Sequence, residues 1–285
     1  MGPLMWVLTF HDPCIIIYCN ACFILKSMTT VISLKSKDGI ILASDSQGTS
    51  SKVKTTIKKV FKINSHAGIG ASGDSSQIEL FVDELKQNFR NEIELESGFR
   101  TQMYSIMINL HRIYNYNHSF LCGYNGPRLF FTPVSIVAVK PKNGDSYLYR
   151  MGFGTMGKNN EISPYIYKVN SDYVSIGSGS TYARLVLTQQ DRLYSAINMK
   201  VSDLSTENNV GIAAYIISEI KQLDLETGGK SQIAVINRDG YKELSYDEQT
   251  KCHQIMTDNL SSSLNEYYSN KDKTSKIVKS LFPYE

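Results

Sequence analysis

Cysteine is scarce and badly placed for a disulfide framework. Of five cysteines, Cys14, Cys19 and Cys22 precede residue 28 and only Cys122 and Cys252 lie in the body. That usage points to a reducing, cytoplasmic compartment. Cys19 and Cys22 form a C-x-x-C, but no second pair or suitably spaced histidine completes a zinc site. His11, His66, His111, His118 and His253 are scattered, with His111 expected on a helix and His118 in a loop. No metal or other cofactor is implied. Long apolar runs are missing too: Cys14 to Leu25 is about a dozen residues, short of the ~20 that a bilayer span needs. No Lys or Arg precedes that run and no small-x-small site follows it, so it makes a poor signal peptide and no membrane is implied. A net charge of +3 gives no argument for nucleic acid. The group Lys52, Lys54, Lys58, Lys59 and Lys62 reads as a solvated strand pair. No linker rich in Pro, Gly or Ser and no internal repeat divides the 285 residues, which points to one domain.

The patterning that is present alternates between two periods. Val31–Leu34 and Ile40–Ala43 are strand-like runs joined by Lys37-Asp38-Gly39, an Asp-Gly hairpin signal. Val60–Ile63 and Ala67–Ala71 repeat this around Asn64-Ser65. Ile78, Phe81, Val82, Leu85 and Phe89 then follow helical spacing, with Asp74 or Ser75 placed as the cap. A second helix is expected from about Gly98 to Tyr114, and residues 115–131 read as a loop. Strands are expected at Val134–Val139, Tyr147–Met151, Ile166–Val169 and Tyr173–Ile176, with Gly152 to Gly157 as a hairpin or crossing loop. Helices return at about Ser180–Leu193 and Asn209–Leu223, followed by strands Ile233–Ile236 and Tyr241–Ser245. From Asp247 the chain turns polar, as a loosely attached helix or an arm. Strands, two helices, strands, two helices, strands predicts an α+β fold, a four-layer αββα sandwich of two antiparallel sheets flanked by helices. The expected division is a leader or mis-assigned start over 1–28, a folded body over 29–246 and a polar tail over 247–285.

The chemistry centres on Met28-Thr29-Thr30-Val31. If the chain is made or trimmed to begin at Thr29, that residue carries both a hydroxyl nucleophile and a free α-amine. The amine has an ordinary pKa of roughly 7.7–8 and can act as a base near neutral pH. A buried or chain-internal Thr29 would defeat this chemistry. Two origins are open: a propeptide removed ahead of Thr29, or translation starting at Met28. The second is favoured, because aminopeptidases remove methionine before a small residue, whereas self-cleavage is commonly seen after glycine. Other candidates have plainer readings. Asp45 and Lys59 flank strands and would ordinarily be exposed; Gly73 alone is a turn glycine. Ser178 could cap the following helix, Asp224 could end one, and Gly228-Gly229 could be a simple turn.

Taken in order, the motifs Thr29-Thr30-Val31, Asp45-Ser-Gln-Gly-Thr49, Lys58-Lys59-Val60, Gly70-Ala-Ser-Gly73-Asp74, Ile176-Gly-Ser178-Gly-Ser-Thr-Tyr-Ala183 and Asp224-Leu-Glu-Thr227-Gly-Gly229 change those readings. From Thr29 to about Ser245 the chain resembles a β-type subunit of the 20S proteasome, within the N-terminal-nucleophile hydrolases. The resemblance implies a threonine endopeptidase with Thr29 as nucleophile and its own amine as base. Lys59 is implied as the cation beside that threonine, Asp45 as its partner, and Gly73 as a backbone oxyanion donor. Ser178, Asp224 and Thr227 are implied to position the amine. The loop from Asp45 to Lys59 is two residues shorter than the family pattern, and Thr227 stands where the family generally has serine.

The resemblance further implies that substrate enters as an extended strand beside Gly48, Thr49 and Gly73. Ala71 and Ser75 would lie near a roomy, uncharged pocket for the side chain preceding the cut. The partners implied are unfolded polypeptides, homo- or hetero-heptameric rings with α-type subunits, and a regulatory ATPase. Three alternatives stand beside this reading: the shorter bacterial ATPase-dependent proteasome-like peptidase, a ring subunit that is an inactive scaffold, and a non-proteolytic amidase of the same superfamily.

Overall fold

The Asp38-Gly39 turn joins β1 (Thr30–Lys35) to β2 (Gly39–Ser44) as an antiparallel hairpin, with Lys35 opposite Ile40. The Ser36 N–H donates to Gly39 O at 2.8 Å and closes the turn. The computed structural model describes residues 29–50, 53–90, 96–122, 133–156, 161–196, 198–225 and 227–269. The expectations for 1–28, including the C-x-x-C, lie outside the described residues. After β2 come a two-stranded ribbon, β3 (Gln47–Ser50) and β4 (Val53–Thr56), then β5 (Val60–Asn64) and β6 (Ala67–Ser72). Helices α1 (Ser75–Asn88) and α2 (Glu96–Cys122) separate these from β7 (Val134–Val139), β8 (Tyr147–Met156), β9 (Glu161–Lys168) and β10 (Tyr173–Gly177). Then follow α3 (Ser180–Ala196), α4 (Thr206–Leu223), β11 (Gln232–Asn237), β12 (Gly240–Glu243) and α5 (Tyr246–Ser269).

Two five-stranded antiparallel sheets result, in the orders β10-β1-β2-β11-β12 and β5-β6-β7-β8-β9. Alternation along β1 explains how they stack. Val31 faces the second sheet, in a cluster with Leu42, Val60, Ile136 and Ala234. Ile32 and Leu34 face the other way, into a cluster with Leu187, Ile216 and Ile220 of α3 and α4. A third cluster packs Ile69 and Val137 of the second sheet against Phe81, Leu85, Met103 and Met107 of α1 and α2. The layers are therefore helix, sheet, sheet, helix: the α+β sandwich that the element order predicts. Fully burying one such aliphatic side chain contributes about 1.5–3 kcal/mol, so a strand buried on both faces resists a one-residue slip. The sheets approach closely at β6, where a Cβ on Gly70 would lie 2.4 Å from Val31 Cγ1. Asp74 caps α1, its carboxylate accepting from the Ser76 and Gln77 N–H groups.

Several expectations need correction. The helix expected to stop near Tyr114 runs on to Cys122, so 115–122, with His118, are helical rather than loop; residues 123–131 lie outside the described residues. Asn, Tyr and His are weak helix formers, but an established helix propagates with one new hydrogen bond per residue. Residues 152–156, expected in a hairpin or crossing loop, continue β8 as one arm of the antiparallel β8–β9 pair. Gly152 pairs with Tyr165 of β9, and a Cβ there would meet the tyrosine oxygen at 2.6 Å. The glycine makes room for a ring laid across the strand. The segment from Asp247 is a helix as far as Ser269, as one of its alternatives held, but this part is not loosely attached; residues 270–285 lie outside the described residues. Met256 is buried in the α3–α4 cluster, and a Cβ on Gly211 would come within 2.6 Å of Cys252 O. The lysine group is not uniformly solvated either: Lys58 is 51% exposed and pairs with Glu243, while Lys59 is 0% exposed.

Candidate active site

Strand register brings the candidates together. Val31 lies opposite Ser44, so the start of β1 adjoins the end of β2, and Asp45 follows immediately. On the other side Thr30 pairs with Gly177, so Ser178 emerges beside the same end of β1. Lys59 is the residue before β5, and Gly73 the residue after β6. Asp224 ends α4 as its C-cap, and the Thr227 N–H donates to Asp224 O at 3.0 Å. Residues from five stretches of chain thus converge on Thr29 and Thr30.

At the centre is a fully buried ion pair: Lys59 Nζ donates to Asp45 Oδ1 at 2.8 Å, with both side chains 0% exposed. A buried pair is tolerated only where the remaining polar positions are satisfied. Asp45 meets that condition. Its Oδ1 also accepts from the Thr30 N–H at 3.1 Å, and its Oδ2 accepts from the N–H groups of Gln47 (3.0 Å) and Gly228 (3.1 Å). Burial pushes the Lys59 ammonium below the ordinary lysine range, while the Asp45 carboxylate and, less strongly, Asp224 pull it back up. The Ala71 N–H donates to Lys59 O at 3.0 Å, tying the lysine to the strand that leads to Gly73.

A second set of contacts lies on the α4 side. Asp224 Oδ2 accepts from Thr227 Oγ1 at 2.8 Å and from Ser178 Oγ at 3.2 Å. Thr227 Oγ1 is in turn 2.9 Å from Thr30 Oγ1. Ser178, Asp224 and Thr227 are therefore gathered beside the first residues of β1. Gly177 has φ +92°, and a Cβ there would lie 1.7 Å from Thr29 O and 3.3 Å from Ser72 Oγ. That position admits no side chain, and it places the Ser72-Gly73 corner next to Thr29. Gly73 itself has φ +144°, a backbone that favours glycine. Thr29 is 1% exposed in the full chain, where its nitrogen is the peptide nitrogen following Met28.

The four substrate-side candidates are less tightly grouped. Gly48 and Thr49 lie in the β3–β4 ribbon that leaves Asp45, and a Cβ on Gly48 would come within 2.9 Å of Ile57 Cγ2. Ala71 is fully buried against α1, and Ser75 is exposed at the first residue of that helix. Sequence reading missed Thr30, Gln47 and Gly228 as contributors. All three donate backbone N–H groups to Asp45, and such groups carry no residue-type signal. Thr30 could have been found, since its alternation with Val31 sets its hydroxyl on the face that meets α4.

Comparison with known proteins adds independent findings. A family model described as "Proteasome subunit" matches residues 25–236. The chain is 25% identical over 236 residues to "Proteasome subunit beta 1" of Thermococcus sibiricus, covering 78% of this chain and 93% of that protein. It is 26% identical over 226 residues to "Proteasome subunit beta 1" of Pyrobaculum arsenaticum, covering 78% of this chain and 96% of that protein. It is also 26% identical over 216 residues to "Proteasome subunit beta type-4" of Arabidopsis thaliana, covering 74% of this chain and 76% of that protein.

Proposed function

Because the chain belongs to the proteasome subunit family, we propose that it is a β-type subunit acting as a threonine endopeptidase, with Thr29 as nucleophile once residues 1–28 are absent. The observation that carries this reading is the buried Lys59–Asp45 pair, hydrogen-bonded to the backbone of Thr30, facing the Ser178–Asp224–Thr227 group across the same two residues.

The arrangement suits a definite sequence of steps. The freed Thr29 amine accepts the proton of its own hydroxyl. Lys59, as an ammonium, favours the forming alkoxide, which attacks a peptide carbonyl carbon. The Gly73 N–H faces the resulting oxyanion; one such donor is worth about 3–4 kcal/mol in the transition state. The tetrahedral adduct collapses as the amine passes its proton to the leaving nitrogen, releasing one peptide and leaving the other as an ester of Thr29. Water, deprotonated by the same amine, then hydrolyses that ester. Ser178, Asp224 and Thr227 orient the amine through the hydroxyl contacts that end on Asp224. In this reading unfolded polypeptide enters as an extended strand beside Gly48, Thr49 and Gly73. Ala71 and Ser75 border its side-chain pocket, and rings with α-type subunits and a regulatory ATPase supply access.

A fluorogenic peptide assay tests this. Hydrolysis should be abolished by Thr29→Ala, and persistence of full activity in that variant would overturn the reading. Activity needs Lys59 as an ammonium, so it should fall as pH rises through the Lys59 value. The alkaline limb is thus expected below lysine's ordinary 10.5, because burial lowers it. A limb at or above that value would contradict the role given to Lys59. The second reading is an inactive ring subunit, favoured by the burial of Thr29 in the full chain. The peptidase reading requires that loss of residues 1–28 free the nitrogen of Thr29.

A further inference from the structure

The ion pair is held from behind by a residue that none of the motifs contains. Gln232 opens β11, and its backbone position pairs with Ser44, the residue before Asp45. Its side chain reaches the other partner. Oε1 accepts from the Lys59 N–H at 2.8 Å and the Val60 N–H at 3.2 Å, while Nε2 donates to Ile57 O at 2.6 Å. One residue thus spans the strand end that carries the carboxylate and the turn that carries the lysine. Gln232 also lines a cavity of about 320 Å³, with Ile57, Val60 and Ile233 as apolar wall and Lys58 and Glu243 among its charged groups. A shorter side chain there leaves the turn's N–H groups facing open space, without a steric clash.

We propose that Gln232 is a positioning residue of the Thr29 reaction, its amide fixing the Ile57–Val60 turn so that Lys59 meets Asp45 in a single geometry. The proposal rests on the threonine peptidase reading. The charged groups that act on Lys59 are Asp45 and Asp224, and Asp45 also acts on Lys221 of α4. Lys58 and Glu243 pair with each other at 2.7 Å. Loosening the turn weakens the contact with Asp45, so less remains to oppose desolvation of the ammonium. A carboxylate at position 232 keeps the two N–H acceptor contacts, loses the donor to Ile57 O, and adds a negative charge near Lys59.

The test compares the assembled mature wild type with Gln232→Ala and Gln232→Glu in steady-state peptide hydrolysis across pH, alongside thermal melting. Gln232→Ala should lower kcat about tenfold with KM within about twofold, less than the 10²-fold that a 1 Å misplacement can cost. Its alkaline limb should move to lower pH. Gln232→Glu should retain more activity and move the limb to higher pH, a pair of opposite shifts that a purely structural role does not produce. Unshifted limbs in both variants, with activity either intact or lost in proportion to folded protein, would overturn the proposal. A wild type without Thr29-dependent hydrolysis is a separate failure, of the peptidase reading. In that case a lysine-selective ¹³C NMR titration of Lys59 in the three proteins decides: opposite shifts support the clamp, and an unchanged titration rejects it.

Discussion

Two carboxylates serve this site from opposite sides, and the chain holds them differently. Asp45 is fully buried between β2 and β3, pairs with a buried cation and accepts three backbone N–H groups. Asp224 is half-buried at the end of α4 and accepts from the hydroxyls of Thr227 and Ser178, the latter an exposed residue. The first is built into the fold, because its removal strands a charge where water cannot reach. The second is attached to the fold's edge, where the groups around it can rearrange or be solvated. Structural and chemical demands therefore coincide at Asp45 and separate at Asp224.

Substitutions can break that contrast or sharpen it. Asp45→Asn should have the largest effect, leaving Lys59 buried without its partner and costing about 3–5 kcal/mol of stability. Denaturant unfolding checks it, and a loss below about 1 kcal/mol would mean that the pair matters less to the fold than its burial indicates. Asp224→Asn should come next in activity but not in stability. Its unfolding free energy should drop by about 1 kcal/mol or less, the ordinary size of one altered hydrogen bond, while peptide hydrolysis falls well beyond that. Comparable stability losses in the two variants would erase the distinction. Thr227→Val removes the hydroxyl between Thr30 and Asp224 and should cost about 1 kcal/mol in folding, with activity reduced. The smallest effect is expected of Thr227→Ser, which keeps the oxygen and drops one methyl. Its activity should stay close to that of the unaltered protein, and a large fall would show that the methyl group packs against something the chemistry needs.

The sequence makes some of this architecture plain and hides the rest, for physical reasons. Hairpins at Asp38-Gly39 and Asn64-Ser65 are legible because turn-forming residue types separate two short apolar runs. Helix α1 is legible because Ile78, Phe81, Val82 and Leu85 share one face beneath an Asp74 cap. The end of α2 is not, since propagation carries it through Asn-Tyr-Asn-His. Nor are the glycines of β8, whose partner Tyr165 lies on another strand. At the site, spacing and motif order point to the side chains of Asp45, Lys59, Ser178, Asp224 and Thr227, which the fold does gather. The backbone donors of Gln47 and Gly228 stay hidden because main-chain groups carry no residue-type signal, and the clamp by Gln232 because it depends on register between strands far apart in the chain. Lys59 among four other lysines is the instructive case: neighbours Lys58 and Lys59 point to opposite faces, one into water and one into the core.

The peptidase account depends on the state of the nitrogen of Thr29. Intact-mass and N-terminal sequencing of a preparation that hydrolyses peptides, with Thr29→Ala as the inactive control, measures that state directly. The account predicts that the active protein begins at Thr29. Active protein that still carries residues joined to that nitrogen would contradict it.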